Sequence, residues 1–214
     1  MRLRNITGSE EVIAASKYVE HDYLNMKGKW QQRFGNTNPI HIEIGMGKGK
    51  FIIQMALNNP NVNYIGIERY SSVLLRALQK LDNMDEIPAN LCFICMDAKE
   101  ISQVFEKGEI GRIYLNFSDP WPKDRHAKRR LPSREFLARY DYILAKEGTI
   151  EFKTDNKDLF VFAVNELEPA GWKALEITYD LHNDARLCAQ NVMTEYEEKF
   201  SAMGNPIYKY IIKR

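Results

Sequence analysis

Three glycines at alternate positions, Gly45, Gly47 and Gly49, follow a short run rich in β-branched residues and precede a segment of good helix formers. This order predicts a strand, a tight turn and a helix, which is typical of a ligand-binding turn. Glycine is needed there because the backbone turns through positive φ and because a Cβ would keep a ligand away from the main chain. Glu43 lies two residues before the first glycine. Its carboxylate would attract a ligand that carries ammonium and sulfonium groups.

The glycine pattern differs from the dinucleotide fingerprint Gly-x-Gly-x-x-Gly, because the third glycine comes one place early and Lys50 takes the position of the last. A carboxylate at Glu43 would also repel a pyrophosphate. The pattern Glu-x-Gly-x-Gly-x-Gly resembles instead the first motif of the class I S-adenosylmethionine-dependent methyltransferases. This resemblance implies that Glu43, Gly45 and Gly47 bind S-adenosylmethionine. A glycine turn that binds no ligand is the alternative.

Two further acids end predicted strands. Glu68 comes about 20 residues after the glycines, where an acidic side chain accepts hydrogen bonds from ribose hydroxyls. Asp97 is followed by the small residue Ala98. This pair fits recognition of an adenine amino group, and an N-cap for the next helix is an equal alternative for Asp97.

Asp119 and Trp121 each precede a proline in the sequence Asp119-Pro120-Trp121-Pro122. Proline fixes its own φ and disfavours the α region for the residue before it, so we expect a rigid loop in which Asp119 and Trp121 are extended. The loop resembles the Asp/Asn-Pro-Pro-aromatic loop of amine N-methyltransferases but has Trp-Pro after the first proline. A proline-rich surface turn is the alternative.

Five Lys or Arg residues fall within the eight positions from Lys123 to Arg130. Such a cluster beside an active-site loop indicates phosphate binding, and a solvated charged surface is the alternative. Asp155 follows a later strand and is predicted to recognise a base or to cap a helix. Thr194-x-x-Glu197 is a capping-box pattern, and its two side chains would lie one helical turn apart and face the same pocket.

Strands and helices alternate from Pro39 onward, which predicts an α/β fold with a mostly parallel sheet and helices on both faces. We expect seven strands, at 40–45, 62–68, 91–96, 112–117, 149–153, 172–179 and 206–212. We expect core helices at 48–58, 71–84, 100–105, 133–144, 157–167 and 195–202. Residues 1–37, with helix-like patterns at 10–21 and 24–34 and scattered basic residues such as Arg2 and Arg4, form a helical appendage to a single domain at 38–214. The appendage either caps the sheet edge or contacts a partner.

The composition is that of an ordinary soluble protein, since 44% of the 214 residues are hydrophobic, 28% are charged and the net charge is +1. No apolar run approaches the roughly 20 residues of a membrane span, and the first residues lack the apolar core of a signal peptide, so we expect a cytoplasmic protein. Three cysteines, an odd number, argue against a disulfide framework. Cys92 and Cys95 fall in an apolar strand, where they would point to opposite faces, so we expect buried positions and no metal site.

The whole chain resembles the bacterial tRNA (guanine-N7)-methyltransferase family. The resemblance is carried by Glu43 to Gly49, Gly66 to Glu68, Asp97-Ala98, Phe117 to Lys123, the basic loop 125–130, Phe152 to Asp155 and Thr194 to Glu197. It implies a Rossmann-like class I methyltransferase fold with S-adenosylmethionine as cofactor and tRNA as partner. It also implies methylation of N7 of the guanine at nucleotide 46, in the variable loop.

The resemblance further implies residue roles. Cofactor contacts are implied for Glu43, Glu68, Asp97 and Asp119. Substrate contacts are implied for Lys123, Asp155, Thr194, Glu195, Tyr196 and Glu197. RNA contacts are implied for Arg125, His126, Lys128, Arg129 and Arg130.

Methylation at N7 needs no general base, because that nitrogen carries a lone pair and no proton; only alignment of nitrogen, methyl and sulfur is required. We expect Asp119 to be the catalytic residue, which holds the amino-acid part of the cofactor and favours the cationic product. Lys123 would donate to guanine O6. Asp155 or Glu197 would accept from N1–H and the 2-amino group of a base that has left its stack.

Two other functions fit parts of the sequence. An N-methyltransferase acting on an exocyclic amine of another nucleic acid or of a protein would use the same Asp-Pro loop. An RNA-binding module that has lost catalysis would keep the basic loop, although intact Glu43, Glu68 and Asp119 argue against it. The sequence predicts no membrane contact and leaves a monomer and a homodimer open.

Overall fold

The structure is a computed structural model, and it describes residues 6–214. Arg2 and Arg4 of the predicted appendage lie outside the described residues. The chain divides into two compact units, one ending at Glu106 and the other beginning at Lys107. The division predicted at residue 38 is a different one and stays a prediction.

The first unit contains three parallel strands in the order β3-β2-β1. They are β1 Ile40–Ile44, β2 Asn63–Glu68 and β3 Leu91–Cys95. The α-helices in the described part of this unit are α1 Ser9–Ala15, α2 Trp30–Phe34, α3 Lys50–Asn58, α4 Ser71–Asp82 and α5 Ile101–Val104. Every residue of β2 is buried, as expected for a parallel strand that is covered on both faces.

The second unit contains four strands in the order β4-β5-β7-β6. They are β4 Ile110–Asn116, β5 Leu144–Thr154, β6 Lys173–Thr178 and β7 Tyr208–Lys213. Strands β4 and β5 are parallel, whereas β7 runs antiparallel to both β5 and β6. The α-helices are α6 Arg134–Ile143, α7 Lys157–Asn165, α8 Leu167–Ala170, α9 Ala185–Cys188 and α10 Glu195–Ser201. The predicted α/β fold with a mostly parallel seven-stranded sheet is therefore confirmed.

The N-terminal segment differs from the two helices predicted at 10–21 and 24–34. Helix α1 ends at Ala15, and Val19 then forms a bridge with Phe93 of β3. The Phe93 N–H donates to Tyr18 O at 2.8 Å, and the Glu20 N–H donates to Phe93 O at 2.8 Å. Residues 18–20 thus pair with the backbone of β3, which matches the capping alternative for this segment.

The second predicted N-terminal helix is shortened by a glycine. Gly28 has a φ of +73°, a conformation that ends right-handed helical winding, and α2 begins only at Trp30. Trp30 is fully buried, and its indole N–H donates to Val104 O at 3.0 Å. The tryptophan therefore fixes this segment to the first unit.

The cysteines follow the prediction in part. Cys92 is fully buried, and burial raises the pKa of its thiol to about 12. Cys95 is only half-buried, at the end of β3, where its thiol lies 3.9 Å from Arg69 O. None of the helices within residues 6–214 is both long and apolar enough to cross a membrane.

Candidate active site

The glycine turn has the backbone conformation that the sequence predicts. Gly45, Gly47 and Gly49 have φ values of +75°, +58° and +76°, which strongly favour glycine. The N–H groups of Gly45 and Met46 donate to Ile67 O at 2.9 and 3.1 Å. These bonds hold the turn against the end of β2.

The three glycines have different surroundings. A Cβ added at Gly45 or at Gly47 would meet no atom within 4 Å, whereas one at Gly49 would lie 3.0 Å from Ala77 Cβ of α4. Gly49 is therefore needed for the packing of α3 on α4. Gly45 and Gly47 leave open space beside the main chain, into which a ligand can approach the backbone.

A fourth glycine, Gly66 in β2, shapes the same turn. A Cβ there would lie 2.3 Å from Met46 Sδ and 2.9 Å from Phe93 Cδ1. Met46 is 5% exposed, so its side chain occupies the space that Gly66 leaves. Glycine within a strand commonly marks such a close approach, and this signal was present in the sequence.

Glu68 is buried at the end of β2 and binds the backbone on two sides. Its Oε2 accepts a hydrogen bond from the Gly47 N–H at 3.1 Å, and its Oε1 accepts from the Arg69 and Tyr70 N–H groups at 2.8 and 3.0 Å. Glu68, which is predicted to bind the ribose, therefore also fixes the glycine turn to the end of β2.

Glu43 and Asp97, the other two predicted cofactor contacts in the first unit, lie at or just after the ends of the neighbouring strands. Glu43 is 1% exposed in β1. Asp97 follows β3, and its Oδ1 accepts from the Lys99 N–H at 3.0 Å, which confirms the N-cap alternative. Its Oδ2 lies 3.7 Å from Arg69 Nη1, and the side chain is 32% exposed. The adenine contact of Asp97 stays a prediction.

These residues of the first unit fit a partly cationic nucleoside ligand. Three carboxylates end three adjacent parallel strands, which is the usual ligand-binding edge of an α/β sheet. The turn beside them is open at the two glycines. Positive groups of a ligand would be stabilised by this concentration of negative charge.

The Asp-Pro loop of the second unit contains two strained residues. Phe117 and Trp121 have φ values of +51° and +41°, in a region that residues with a side chain seldom occupy. The expectation that Trp121 is extended is therefore wrong. Its carbonyl oxygen accepts from Arg130 Nη2 at 3.0 Å and from Arg130 Nε at 3.3 Å, so a tertiary contact overrides the local preference.

The basic loop forms a 3-10 helical segment, Asp124–Arg129. Arg125, Lys128 and Arg129 are exposed, and so is Lys123 just before them. Two members of the loop, His126 and the exposed Arg129, also contact Trp121. The His126 ring meets it edge-on at 5.6 Å, and Arg129 Cζ lies 5.0 Å from its ring centre.

Asp155 and Tyr196 are brought together in the second unit. The Tyr196 hydroxyl donates to Asp155 Oδ2 at 3.1 Å. Burial and the neighbouring Asp155 carboxylate raise the pKa of Tyr196 to about 12. Asn156, not Asp155, caps α7 by accepting from the Leu159 N–H at 2.8 Å, so the N-cap alternative for Asp155 is wrong. Asp155 remains half-buried, and a carboxylate can accept more than one hydrogen bond.

Glu197 lies at the centre of a buried polar cluster. Its Oε2 accepts from Lys153 Nζ at 2.7 Å, and its Oε1 accepts from Asn191 Nδ2 at 2.6 Å and lies 3.3 Å from His182 Nε2. Lys153 Nζ also donates to Asn191 Oδ1 and to Val192 O, both at 2.9 Å. Burial lowers the pKa of Lys153, and the Glu197 carboxylate opposes that shift.

Thr194 begins α10 as its N-cap. The Thr194 hydroxyl oxygen accepts from the Glu197 N–H at 2.9 Å, so this half of the predicted capping box is present. The Glu197 side chain turns to Lys153 and is fully buried. Thr194, Glu195 and Tyr196 are at least partly exposed on the first turn of the helix.

A family model described as "Putative methyltransferase" matches residues 37–210 of this chain. A tRNA (guanine-N(7)-)-methyltransferase of Lachnoclostridium phytofermentans is 58% identical over 214 residues, which cover 100% of this chain and 99% of the relative. The chain belongs to the tRNA (guanine-N(7)-)-methyltransferase family. A second family member, from Geobacillus sp. strain WCH70, is 53% identical over 214 residues, which cover 100% of this chain and 96% of the relative. The predicted enzyme class, a methyltransferase, is confirmed.

Solved structures outside this family share the fold at low identity. A structure described as an antibiotic-related methyltransferase has a TM-score of 0.65 at 19% identity and covers 86% of this chain and 92% of its own. A second structure is a 16S rRNA (adenine(1408)-N(1))-methyltransferase from Catenulisporales acidiphilia, solved with the cosubstrate SAM. It has a TM-score of 0.58 at 9% identity, and the match covers 86% of this chain and 89% of that protein. These likenesses confirm the Rossmann-like methyltransferase fold.

No role was predicted for four residues that lie behind this site, although two of them fall within the motifs that carry the family resemblance. The four residues are Gly66, Lys153, His182 and Asn191. Lysine is almost never fully buried without a partner, so Lys153 near the end of the inner strand β5 was a signal that an acid must face it. The partner could not be named, because Glu197 is 44 positions away.

Proposed function

We propose that this chain transfers a methyl group from S-adenosylmethionine to N7 of the guanine at nucleotide 46, in the variable loop of tRNA. The observation that carries the proposal is the 58% identity along the whole chain to a relative named tRNA (guanine-N(7)-)-methyltransferase. The assignment to nucleotide 46 rests on the resemblance of the sequence motifs to that family. Since its substrate is tRNA, we place the protein in the cytoplasm.

In the proposed function the first unit holds the cofactor. Gly45 and Gly47 admit it to the main chain, and a Cβ at either glycine would project into that space. Glu68, at the end of β2 beside the turn, accepts hydrogen bonds from the ribose hydroxyls. Glu43 attracts the cationic amino-acid part of the cofactor, and Asp97 accepts from the adenine amino group.

S-adenosylmethionine supplies an electrophilic methyl group on a sulfonium. No residue is required to remove a proton, because guanine N7 bears a lone pair and no hydrogen. The chain therefore acts by positioning and by charge. Asp119, exposed in its rigid loop, holds the amino-acid part of the cofactor and favours the positive charge that develops on the purine.

Recognition of guanine is assigned to exposed polar groups of the second unit. Lys123 donates to O6, and Asp155 accepts from N1–H and the 2-amino group, because a carboxylate complements donors on that edge. Of the two acids that the sequence left open, Asp155 is favoured, since the Glu197 oxygens are occupied by Lys153 and Asn191. Thr194, Glu195 and Tyr196 contact the substrate, and Glu197 holds their helical turn in place.

The exposed part of the basic loop binds the RNA backbone. Arg125, Lys128 and Arg129 provide charge for phosphates, and His126 packs beside them on Trp121. Such contacts contribute affinity without base specificity and weaken as salt is raised.

The test is incubation of the purified protein with radiolabelled S-adenosylmethionine and unmodified tRNA, followed by nucleoside analysis. The proposal expects label in 7-methylguanosine, which is positively charged and labile to alkali. Label in a neutral, alkali-stable methylamine would replace it with the exocyclic-amine function. Bound cofactor and bound tRNA without any labelled product would indicate an RNA-binding module.

A further inference from the structure

Arg129 and Arg130 are adjacent residues of the same type in opposite surroundings. Arg129 is exposed. Arg130 is 9% exposed, which is unusual for an arginine unless its guanidinium is paired. A side chain so far withdrawn from solvent is poorly placed to neutralise a phosphate of the tRNA backbone.

The Arg130 guanidinium binds the Asp-Pro loop instead. Its Nε donates to Pro120 O at 3.1 Å and to Trp121 O at 3.3 Å, and its Nη2 donates to Trp121 O at 3.0 Å. Its Cζ lies 4.3 Å from the centre of the Phe162 ring, a distance at which the ring face attracts a cation. Hydrogen bonds on one edge and an aromatic face beside it fix the guanidinium in place.

The loop needs such a contact because its backbone is strained. Trp121 precedes Pro122, yet its φ is +41°, which side-chain sterics disfavour. Strained conformations persist only when the surrounding structure holds them. Arg130 binds the carbonyl groups of the two peptides that flank Trp121, namely Pro120 O and Trp121 O.

We propose that Arg130 is a positioning residue that fixes the loop carrying Asp119, and that it does not bind RNA. This role rests on the tRNA methylation proposed above. The planar fork of arginine donates to two carbonyls at once and stacks on a ring, whereas the point charge of lysine cannot reproduce that arrangement. Retaining the charge at position 130 should therefore not retain the function.

The test compares Arg130→Lys with Arg129→Lys and Arg129→Gln. Arg130→Lys should lower kcat by about 10- to 100-fold, because a small displacement of a reacting group has effects of that size. Its affinity for tRNA and the salt dependence of that affinity should stay close to those of the wild type. Arg129→Gln should weaken tRNA binding and reduce the salt slope by about one, and Arg129→Lys should restore both. The positioning role is wrong if Arg130→Lys keeps the wild-type kcat, or if Arg130→Gln reduces the salt slope as Arg129→Gln does.

A second readout follows the loop without any activity. Of the three tryptophans, Trp30 and Trp172 are 0% and 4% exposed, so Trp121 should dominate quenching of fluorescence by acrylamide. Arg130→Lys should increase quenching, and the increase should vanish when Trp121→Phe is added. Unchanged quenching would show that Arg130 does not fix the loop. Phe162→Leu provides a milder variant, which should lower kcat in the same direction.

The two proposals fail in distinguishable ways. If the wild-type protein makes no 7-methylguanosine but Arg130→Lys increases quenching of Trp121, the proposed function is wrong. The conclusion that Arg130 fixes the loop would then still stand. If 7-methylguanosine is made at the wild-type rate by Arg130→Lys, the proposed function stands and the positioning role is wrong.

Discussion

Lys153 Nζ lies 2.7 Å from Glu197 Oε2, and both side chains are fully shielded from solvent. Lys153 lies near the end of β5, just before Asp155, and Glu197 lies in the first turn of α10, just after Tyr196. The ion pair therefore connects the two segments that provide Asp155 and Tyr196 to the proposed guanine site. Their side chains then meet through a direct hydrogen bond.

Lys153→Met should destabilise the protein strongly, because it leaves the Glu197 carboxylate buried without its cation. Removing one partner of a buried pair costs about 3–5 kcal/mol, and urea unfolding measures that loss. Lys146→Met is the matched control, since Lys146 is an exposed lysine of the same strand and should change stability by less than about 0.5 kcal/mol. Adding Glu197→Gln to Lys153→Met should recover part of the loss. Equal stability of the two lysine variants would contradict the importance of the pair.

Gly66→Ala should weaken cofactor binding through the glycine turn. The new Cβ would overlap Met46 Sδ, and such overpacking costs about 1–3 kcal/mol. Calorimetric titration with S-adenosylmethionine measures the effect. Shortening the obstructing side chain in the double variant Gly66→Ala, Met46→Ala should recover part of the affinity. A single variant that binds as tightly as the wild type would show that the turn does not depend on this contact.

Asp119→Asn should lower kcat by about 100-fold or more, because a fixed charge that stabilises the transition state is removed. Affinity for S-adenosylmethionine should fall as well, since the same carboxylate holds the cofactor. Single-turnover rates and cofactor titration separate the two effects. Near-normal turnover with undiminished cofactor affinity would contradict the role assigned to Asp119.

Asp155→Asn should reduce kcat/KM for tRNA by about 10- to 100-fold, because a good bidentate contact to a base edge is worth about 1–3 kcal/mol. Cofactor affinity should not change. Asp158→Asn is the matched control, because Asp158 is an exposed acid in the first turn of α7. If both variants kept the wild-type kcat/KM, Asp155 would not read the base.

The ion pair of Arg134 with Glu166 should make stability sensitive to acid. The hydrogen bonds from Arg134 hold the pKa of the Glu166 carboxyl below its ordinary value of 4.5. The unfolded chain then takes up this proton at higher pH than the folded chain. The stabilisation is fully present above pH 4.5 and is lost as the pH falls through the lower folded pKa.

Glu166→Gln should remove this part of the pH dependence. Urea midpoints at about pH 7 and pH 3 should differ less in this variant than in the wild type, and Glu168→Gln, at an exposed position of α8, should behave as the wild type. If Glu166→Gln loses as much stability in acid as the wild type does, the protonation of Glu166 does not contribute to the acid sensitivity of the protein.

The local features of the fold and of the site could be predicted from the sequence. Gly45 and Gly47 adopt positive φ because glycine alone does so easily, and strand periodicity placed Glu43, Glu68 and Asp97 at the ends of three neighbouring strands. These features depend on residues close together in the chain. A single sequence carries them without any tertiary information.

The features that were missed depend on distant contacts. Trp121 is not extended, because Arg130 binds its carbonyl oxygen. Residues 18–20 are not helical, because they pair with Phe93, more than 70 positions later. The burial of the Glu197 side chain was not predicted, because its partner Lys153 is 44 positions away in the chain. In each case a tertiary partner overrides the local preference.

Methylation of the guanine at nucleotide 46 is tested most directly with two tRNA transcripts that differ only at that nucleotide, one with guanine and one with adenine. Each is incubated with the protein and radiolabelled S-adenosylmethionine, and the labelled nucleosides are separated. The proposed function predicts 7-methylguanosine from the guanine transcript and none from the adenine transcript. Equal labelling of both transcripts, or label in any other nucleoside, would contradict it.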